Sequence, residues 1–204
     1  MMTLNDRQPI IVADAGPLIR LAAAGLLDTL RGLNRSVVLV DRVKEEVMGD
    51  LTKPFAHEIA NWISTMGAAI EHVDTLVGVG MRLLEAKARS PAEDAVLKKS
   101  KRNSGEAALR EFVYDWRPTG ASSAIVLYED ARVALDFLYA EFPVTLMTTR
   151  SFANLIAAWG VNIDARAILE AKASDYVMQP AKSAVWDDDT PPDLRRLPQE
   201  DEKP

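Results

Sequence analysis

Pro9-Ile10-Ile11-Val12-Ala13-Asp14-Ala15-Gly16-Pro17-Leu18 sets the class of this chain. Its short apolar run reads as a parallel strand covered on both faces, because a strand with one solvated face would alternate. The run stops on a carboxylate, and Gly16-Pro17 opens a helix, proline being suited to a first helical turn. An acid therefore stands at the carboxyl end of a strand, the edge at which open α/β sheets bind ligands.

Outward from this segment, strands are predicted at 9–14, 36–40, 68–73, 122–128 and 143–147. Helices are predicted at 17–30, 42–48, 54–66, 77–89, 104–115, 131–141, 150–158 and 163–172, with Asp41 as a cap for the second. Strands alternating with helices imply an α/β fold with a parallel sheet and right-handed crossovers. The region 49–103 is the least patterned, with room for two or three helices and one strand. Ser90-Pro91 reads as a break, and Lys98-Lys99-Ser100-Lys101-Arg102 as a solvated loop whose position before Glu106 would allow a phosphate contact. Residues 1–177 form one expected domain. Residues 178–204 are Pro-rich and acidic, with little order expected.

Composition narrows the classes. The chain has 204 residues, enough for one domain with a sizeable core, and it has no cysteine. Disulfides, thiolate zinc sites and thiol nucleophiles are thereby excluded. No apolar run approaches the roughly 20 residues of a membrane helix, and Met1 to Gln8 lacks the apolar core of a signal peptide, so a cytoplasmic location is expected. The net charge of −6 argues weakly against bulk nucleic-acid binding. Most of it lies in residues 183–204, where seven acids face three bases. The body of the chain is nearly neutral.

Three further acidic positions stand at junctions comparable to Asp14: Glu46, Glu106 and the pair Glu129-Asp130. Each has a structural explanation beside the functional one. Asp14 and Glu129-Asp130 could cap the helices that follow them. Glu46 could be a solvated helical glutamate on the flank of the face that Val43 and Val47 bury, with Glu45 pointing further toward solvent. Glu106 could close a capping box with Asn103. Four acids on one sheet edge would repel one another unless a cation sat among them. His57 and His72 have no third ligand at zinc spacing. Trp62 and Trp159 read as core or interface, and Gly78-Val79-Gly80 is too short for a dinucleotide fingerprint.

Four segments in order carry a resemblance: Ile11-Val12-Ala13-Asp14-Ala15-Gly16-Pro17-Leu18-Ile19, Val43-Lys44-Glu45-Glu46-Val47, Ser104-Gly105-Glu106-Ala107-Ala108-Leu109, and Tyr128-Glu129-Asp130-Ala131-Arg132-Val133-Ala134. Together, spanning roughly residues 9–172, they resemble the PIN domain, the metal-dependent ribonuclease fold of the VapC-type toxins. The resemblance implies a single domain with a five-stranded parallel sheet of order 3-2-1-4-5. It implies Mg²⁺ or Mn²⁺ held by Asp14, Glu46, Glu106 and Asp130, with Glu129 as the alternative to Asp130. It implies an RNA substrate, with Thr148, Arg150, Lys101 and Arg102 as contact candidates, and it implies a homo-oligomer and an antitoxin protein as partners. The activity expected is that of a metal-dependent endoribonuclease; the alternative is a PIN-fold interaction module with weak or lost catalysis. Receiver and dehalogenase folds fit less well, since Arg150 follows the fifth strand where a receiver needs Lys, and Gly16 stands where a dehalogenase needs its second Asp.

Overall fold

The computed structural model describes residues 9–87, 90–101, 103–115, 121, 123–130, 137, 140 and 142–173. Its sheet holds β1 (Ile10–Ala13), β2 (Val37–Val40), β3 (Ile70–Val73), β4 (Ala124–Tyr128) and β5 (Val144–Thr148), all parallel, in the order β3-β2-β1-β4-β5. Every residue of β1, β2 and β4 is buried, so consecutive side chains pack into layers on opposite faces. The outer strands are less covered, and β3 exposes Glu71 and His72. The α/β class and strand order therefore agree with expectation, and each strand starts within about two residues of its predicted start.

The helices are α1 (Ala15–Ala23), α2 (Asp28–Gly32), α3 (Asp41–Met48), α4 (Ala56–Met66), α5 (Leu76–Lys87), α6 (Pro91–Lys101), α7 (Ser104–Asp115), α8 (Thr149–Ala158) and α9 (Ala165–Ala173). Among the described residues, none is long and apolar enough to cross a membrane. Leu18, Leu21, Leu30, Ile59, Leu109, Phe152 and Ile156 are fully buried and join the strand residues in one hydrophobic core. Trp62 belongs to that core, whereas Trp159 is half exposed beneath the Arg35 guanidinium, 5.5 Å from its ring centroid.

Two expectations need correction. The single helix predicted at 17–30 is two, because Gly25 turns left-handed (φ +66°) and the Leu26 N–H returns to the Leu21 carbonyl at 2.8 Å, a glycine-dependent C-terminal cap. The basic run 98–101 is not a loop but the last turn of α6. Ser90-Pro91 starts that helix: the Ser90 N–H and hydroxyl donate to Glu93, whose own N–H donates back to Ser90 Oγ. This reciprocal cap, with Pro at the first helical position, was readable as Ser90-Pro91-Ala92-Glu93. The helix predicted at 131–141 lies outside the described residues apart from Phe137 and Ala140, as does the segment 178–204.

A buried carboxylate ties α5 to the body. Asp41, 8% exposed, opens α3 as its first residue rather than capping it from outside. Its Oδ1 accepts the Arg42 N–H at 2.9 Å and the Thr75 hydroxyl at 2.8 Å, and its Oδ2 pairs with Arg82 at 2.8 Å. Thr75 Oγ1 in turn accepts the Gly78 N–H, and Glu111 of α7 accepts the N–H groups of Leu76 and Val77, so the free amides of this helix start are satisfied by two side chains. A Cβ on Gly78 would lie 1.7 Å from Asp41 Oδ2, while one on Gly80 would meet nothing within 4 Å. Gly78→Ala is therefore expected to destabilise by roughly 1–3 kcal/mol through forced displacement, and Gly80→Ala to stabilise by up to about 1 kcal/mol through helix propensity. Urea unfolding of the two variants checks the contrast; equal effects would mean that Asp41 does not pack on Gly78.

Candidate functional site

β1 lies between β2 and β4, and the chain leaves it first toward one sheet edge and later toward the other. The crevice at such a reversal, beyond the carboxyl ends of β1 and β4, is where an open sheet collects functional groups. The Asp14 N–H continues the ladder to the Leu127 carbonyl at 3.0 Å and fixes Asp14 at this point. Asp14 occupies the N-cap position of α1 with extended backbone, but its side chain makes no capping hydrogen bond. The carboxylate makes no capping bond further into the helix; the helix amide that acts on it is that of Ala15, the first residue of α1.

Three other acids act on it. Gly105, in the first turn of α7, faces the gap between two of them: a Cβ there would lie 3.0 Å from Glu46 Oε2 and 3.9 Å from Asp14 Oδ1. Those two oxygens can be no further apart than the sum of these distances. Glu106 follows in the same helical turn, half-buried. Glu129 lies over Gly16, where a Cβ would approach its Cγ to 3.1 Å. Asp14 is only partly accessible, and its carboxyl is pushed up to about 7. Burial is the largest cause, opposed by the Ala15 N–H and reinforced by the charges of Glu46, Glu106 and Glu129.

Glu129 and Glu46 are raised as well, each first by desolvation. At Glu129 the Arg20 guanidinium and Thr149 oppose the rise, and at Glu46 the cations Lys53 and Arg42 do. Glu129 is held on both oxygens: Arg20 pairs with Oε2 at 3.2 Å, and Thr149 donates its N–H (3.3 Å) and its hydroxyl to Oε1. Asp130 follows it, half-buried. The charge of Glu129 bears on Asp14. Among the described residues, no three acids or histidines form a ready-made metal-ligand group.

Glu45 and Glu46 have divided roles, although not as expected. Glu45 does not point to solvent; it is half-buried and held by Arg42 and by Arg82 at 3.0 Å. Glu46 is the more exposed of the two and faces a cavity of about 960 Å³. Arg42, Lys53, Lys98, Lys99 and Lys101 also line this cavity, with Glu45 and Glu85 on its wall.

The remaining candidates are placed as follows. Lys101 reaches the cavity while pairing with Glu85 at 3.1 Å, and Arg102 lies outside the described residues. Thr148 caps α8, accepting the Ser151 N–H at 3.2 Å. Arg150 pairs with Glu170 of α9 at 3.0 Å. The residue of this segment that reaches the acids is Thr149, which is fully buried. Its sequence signal is only its place one residue beyond a strand end, level with Glu129. Arg20 had no signal beyond being a charged residue on an otherwise apolar helix. No protein-family model, curated protein or solved structure matches the chain.

The site's electrostatics fix a pH dependence. A carboxyl raised from 3.8 to about 7 binds its proton more tightly in the folded state. Its stabilising contribution is full below the unfolded value and is lost as pH rises through the folded one. In chelator, Asp14→Asn, which carries no charge at any pH, is expected to raise the melting temperature relative to the parent more at pH 8 than at pH 5. A difference independent of pH would show that Asp14 is not a strained carboxylate.

Proposed function

We propose that this chain is a divalent-metal-dependent endoribonuclease of PIN type, in its sharpest form the toxin of a toxin–antitoxin pair. One observation carries the reading: Asp14, at the central strand end of a 3-2-1-4-5 sheet, makes no capping bond beyond the Ala15 N–H, lies across Gly105 from Glu46, and is acted on by the charges of Glu46, Glu106 and Glu129. Three like charges around a fourth acid are costly to maintain without a counter-cation.

The chemistry of the donors suits such a cation, although among the described residues no three acids stand together as a metal-ligand group before one binds. All the candidate ligands are carboxylate oxygens, which suit Mg²⁺ and Mn²⁺. The missing side chain of Gly105 leaves space between Glu46 Oε2 and Asp14 Oδ1 that a Cβ would fill. Asp14, Glu46, Glu106 and the Glu129-Asp130 pair would hold Mg²⁺ or Mn²⁺, which when bound supplies Lewis acidity and an activated water for phosphodiester hydrolysis. The protein's own part is orientation and charge. Arg20 and Thr149 fix the Glu129 carboxylate so that it does not swing away from Asp14. Lys98 and Lys99, in the last turn of α6, and Lys53 stand across the same cavity as Glu46 and supply the cationic side for an RNA backbone.

The alternative, an interaction module, is favoured by a different observation. Leu76, Leu83 and Leu84 of α5 and Val96 of α6 are all more than half exposed, an apolar surface suited to a protein partner. Antitoxin binding and homo-oligomer formation belong to this proposal, and light scattering of the purified chain tests the latter.

With Mn²⁺ present, Asp14→Asn and Glu46→Gln are each expected to reduce cleavage of a labelled single-stranded RNA by at least about a hundredfold, on the scale of losing an electrostatic catalytic group. Both variants should keep the parent's circular dichroism spectrum. Parent protein that cleaves equally well in excess chelator would overturn the metal-dependent reading. Parent protein that never cleaves would favour the interaction module.

A further inference from the structure

Glu46 and Glu106 sit on two helices, α3 and α7, that pack against each other and are also joined by one buried side chain. Arg42, 7% exposed, lies four residues before Glu46 on α3 and lines the same cavity. Its Nε donates to Ser104 Oγ, the first residue of α7, at 3.1 Å. Its Nη1 is shared between Glu45, next to Glu46, and Glu85 of α5 at 3.5 Å. The Ser104 hydroxyl passes the contact on to the Lys101 carbonyl at the end of α6, at 3.0 Å. A planar guanidinium with its donors in a fixed fork can hold several partners at set angles, which an ammonium cannot. Ser104 precedes Gly105, the residue that separates Glu46 from Asp14, and Glu106 follows. The Arg42–Ser104 bond thus joins the two helix turns that carry the acids, across 62 positions of sequence.

We propose that Arg42 is a positioning residue: it hydrogen-bonds to no acid of the candidate site, although its charge acts on Glu46, and by clamping the start of α7 to α3 it sets the separation of Glu46 from Gly105 and Glu106, and with it the affinity for a divalent cation. The second part rests on the metal-dependent reading of the site; the clamp itself does not. The cost of the arrangement is a buried cation that stays satisfied only while Glu45, Glu85 and Ser104 remain in place.

The test uses full-length Arg42→Gln, Arg42→Lys and Ser104→Ala. In chelator, amide hydrogen exchange is followed by mass spectrometry. Loss of the clamp should speed exchange at the α7 start, residues 104–109, and at the end of α3, relative to β1 and β4. Mn²⁺ binding is then titrated by loss of the free-ion spin resonance signal. Arg42→Gln should bind Mn²⁺ roughly tenfold more weakly, the lower range for outer supporting groups of metal sites, with cleavage recovered at saturating Mn²⁺. Arg42→Lys should recover only part of the affinity. Ser104→Ala removes one hydroxyl, the acceptor for Arg42 and the donor to the Lys101 carbonyl, and guards against loss of fold in the Arg42 variants; it should weaken Mn²⁺ binding in the same direction.

Exchange in α7 that is unchanged, or faster everywhere in proportion to lost stability, would overturn the clamp. A localised exchange change with unaltered Mn²⁺ affinity would overturn its link to the site. If the parent binds no Mn²⁺, the functional reading fails, while the exchange result still decides the clamp.

Discussion

Everything in this molecule is arranged around the burial of β1 on both sides. Because β2 and β4 pair with it in parallel, its four residues can be apolar throughout and its backbone groups are used up in the ladders. The first residue free to be polar is the one that leaves the sheet. Asp14 is that residue, and its N–H still belongs to the ladder through Leu127. A carboxylate fixed by the backbone at the centre of the sheet edge cannot retreat to solvent, so neighbouring acids act on it at close range.

The acids are unequal. Asp14 is held by the strand, and Glu129 by Arg20 and Thr149. Glu46 faces the open cavity, and its environment depends on how α3 sits against α7. A shift of α3 would therefore change the gap at Gly105 without disturbing the sheet. Part-buried ion pairs of Asp41 and Glu45 with Arg82 hold α3 to α5, Arg42 pairs with Glu45 within α3, and a buried hydrogen bond from Arg42 to Ser104 joins α3 to α7. Such pairs contribute little net stability, because desolvation offsets attraction, but they penalise any geometry in which a partner is lost. Their location beside the acids is the common ground of the functional reading and the positioning inference.

The α5–α6 pair has a different character. It is fastened at one end, where Asp41, Thr75 and Glu111 hold the first turn of α5, while Leu83, Leu84 and Val96 remain uncovered further along. The uncovered end offers surface without obligation to the core.

How much of this was legible beforehand follows from the range over which each force acts. Apolar runs are local patterns, and they located β1, β2, β4 and β5, while acids near element junctions picked out Asp14, Glu46, Glu106 and Glu129-Asp130 as candidates. The strand order came through the resemblance of four motifs, not from spacing. Local signals were also overlooked, in the glycine turn at Gly25 and the reciprocal cap Ser90–Glu93. Other features had no local signal. How the Glu129 carboxylate is held depends on Thr149 and Arg20, brought beside it from the end of β5 and from α1. Glu45 is held inward by Arg42 and Arg82, although helical spacing from Val43 and Val47 put it toward solvent. Sequence by itself determined where chain meets sheet edge, because strand burial is written in consecutive residues. Tertiary structure alone decided which charges share an environment, because that depends on contacts between residues distant in the chain, and electrostatic energy follows separation in space.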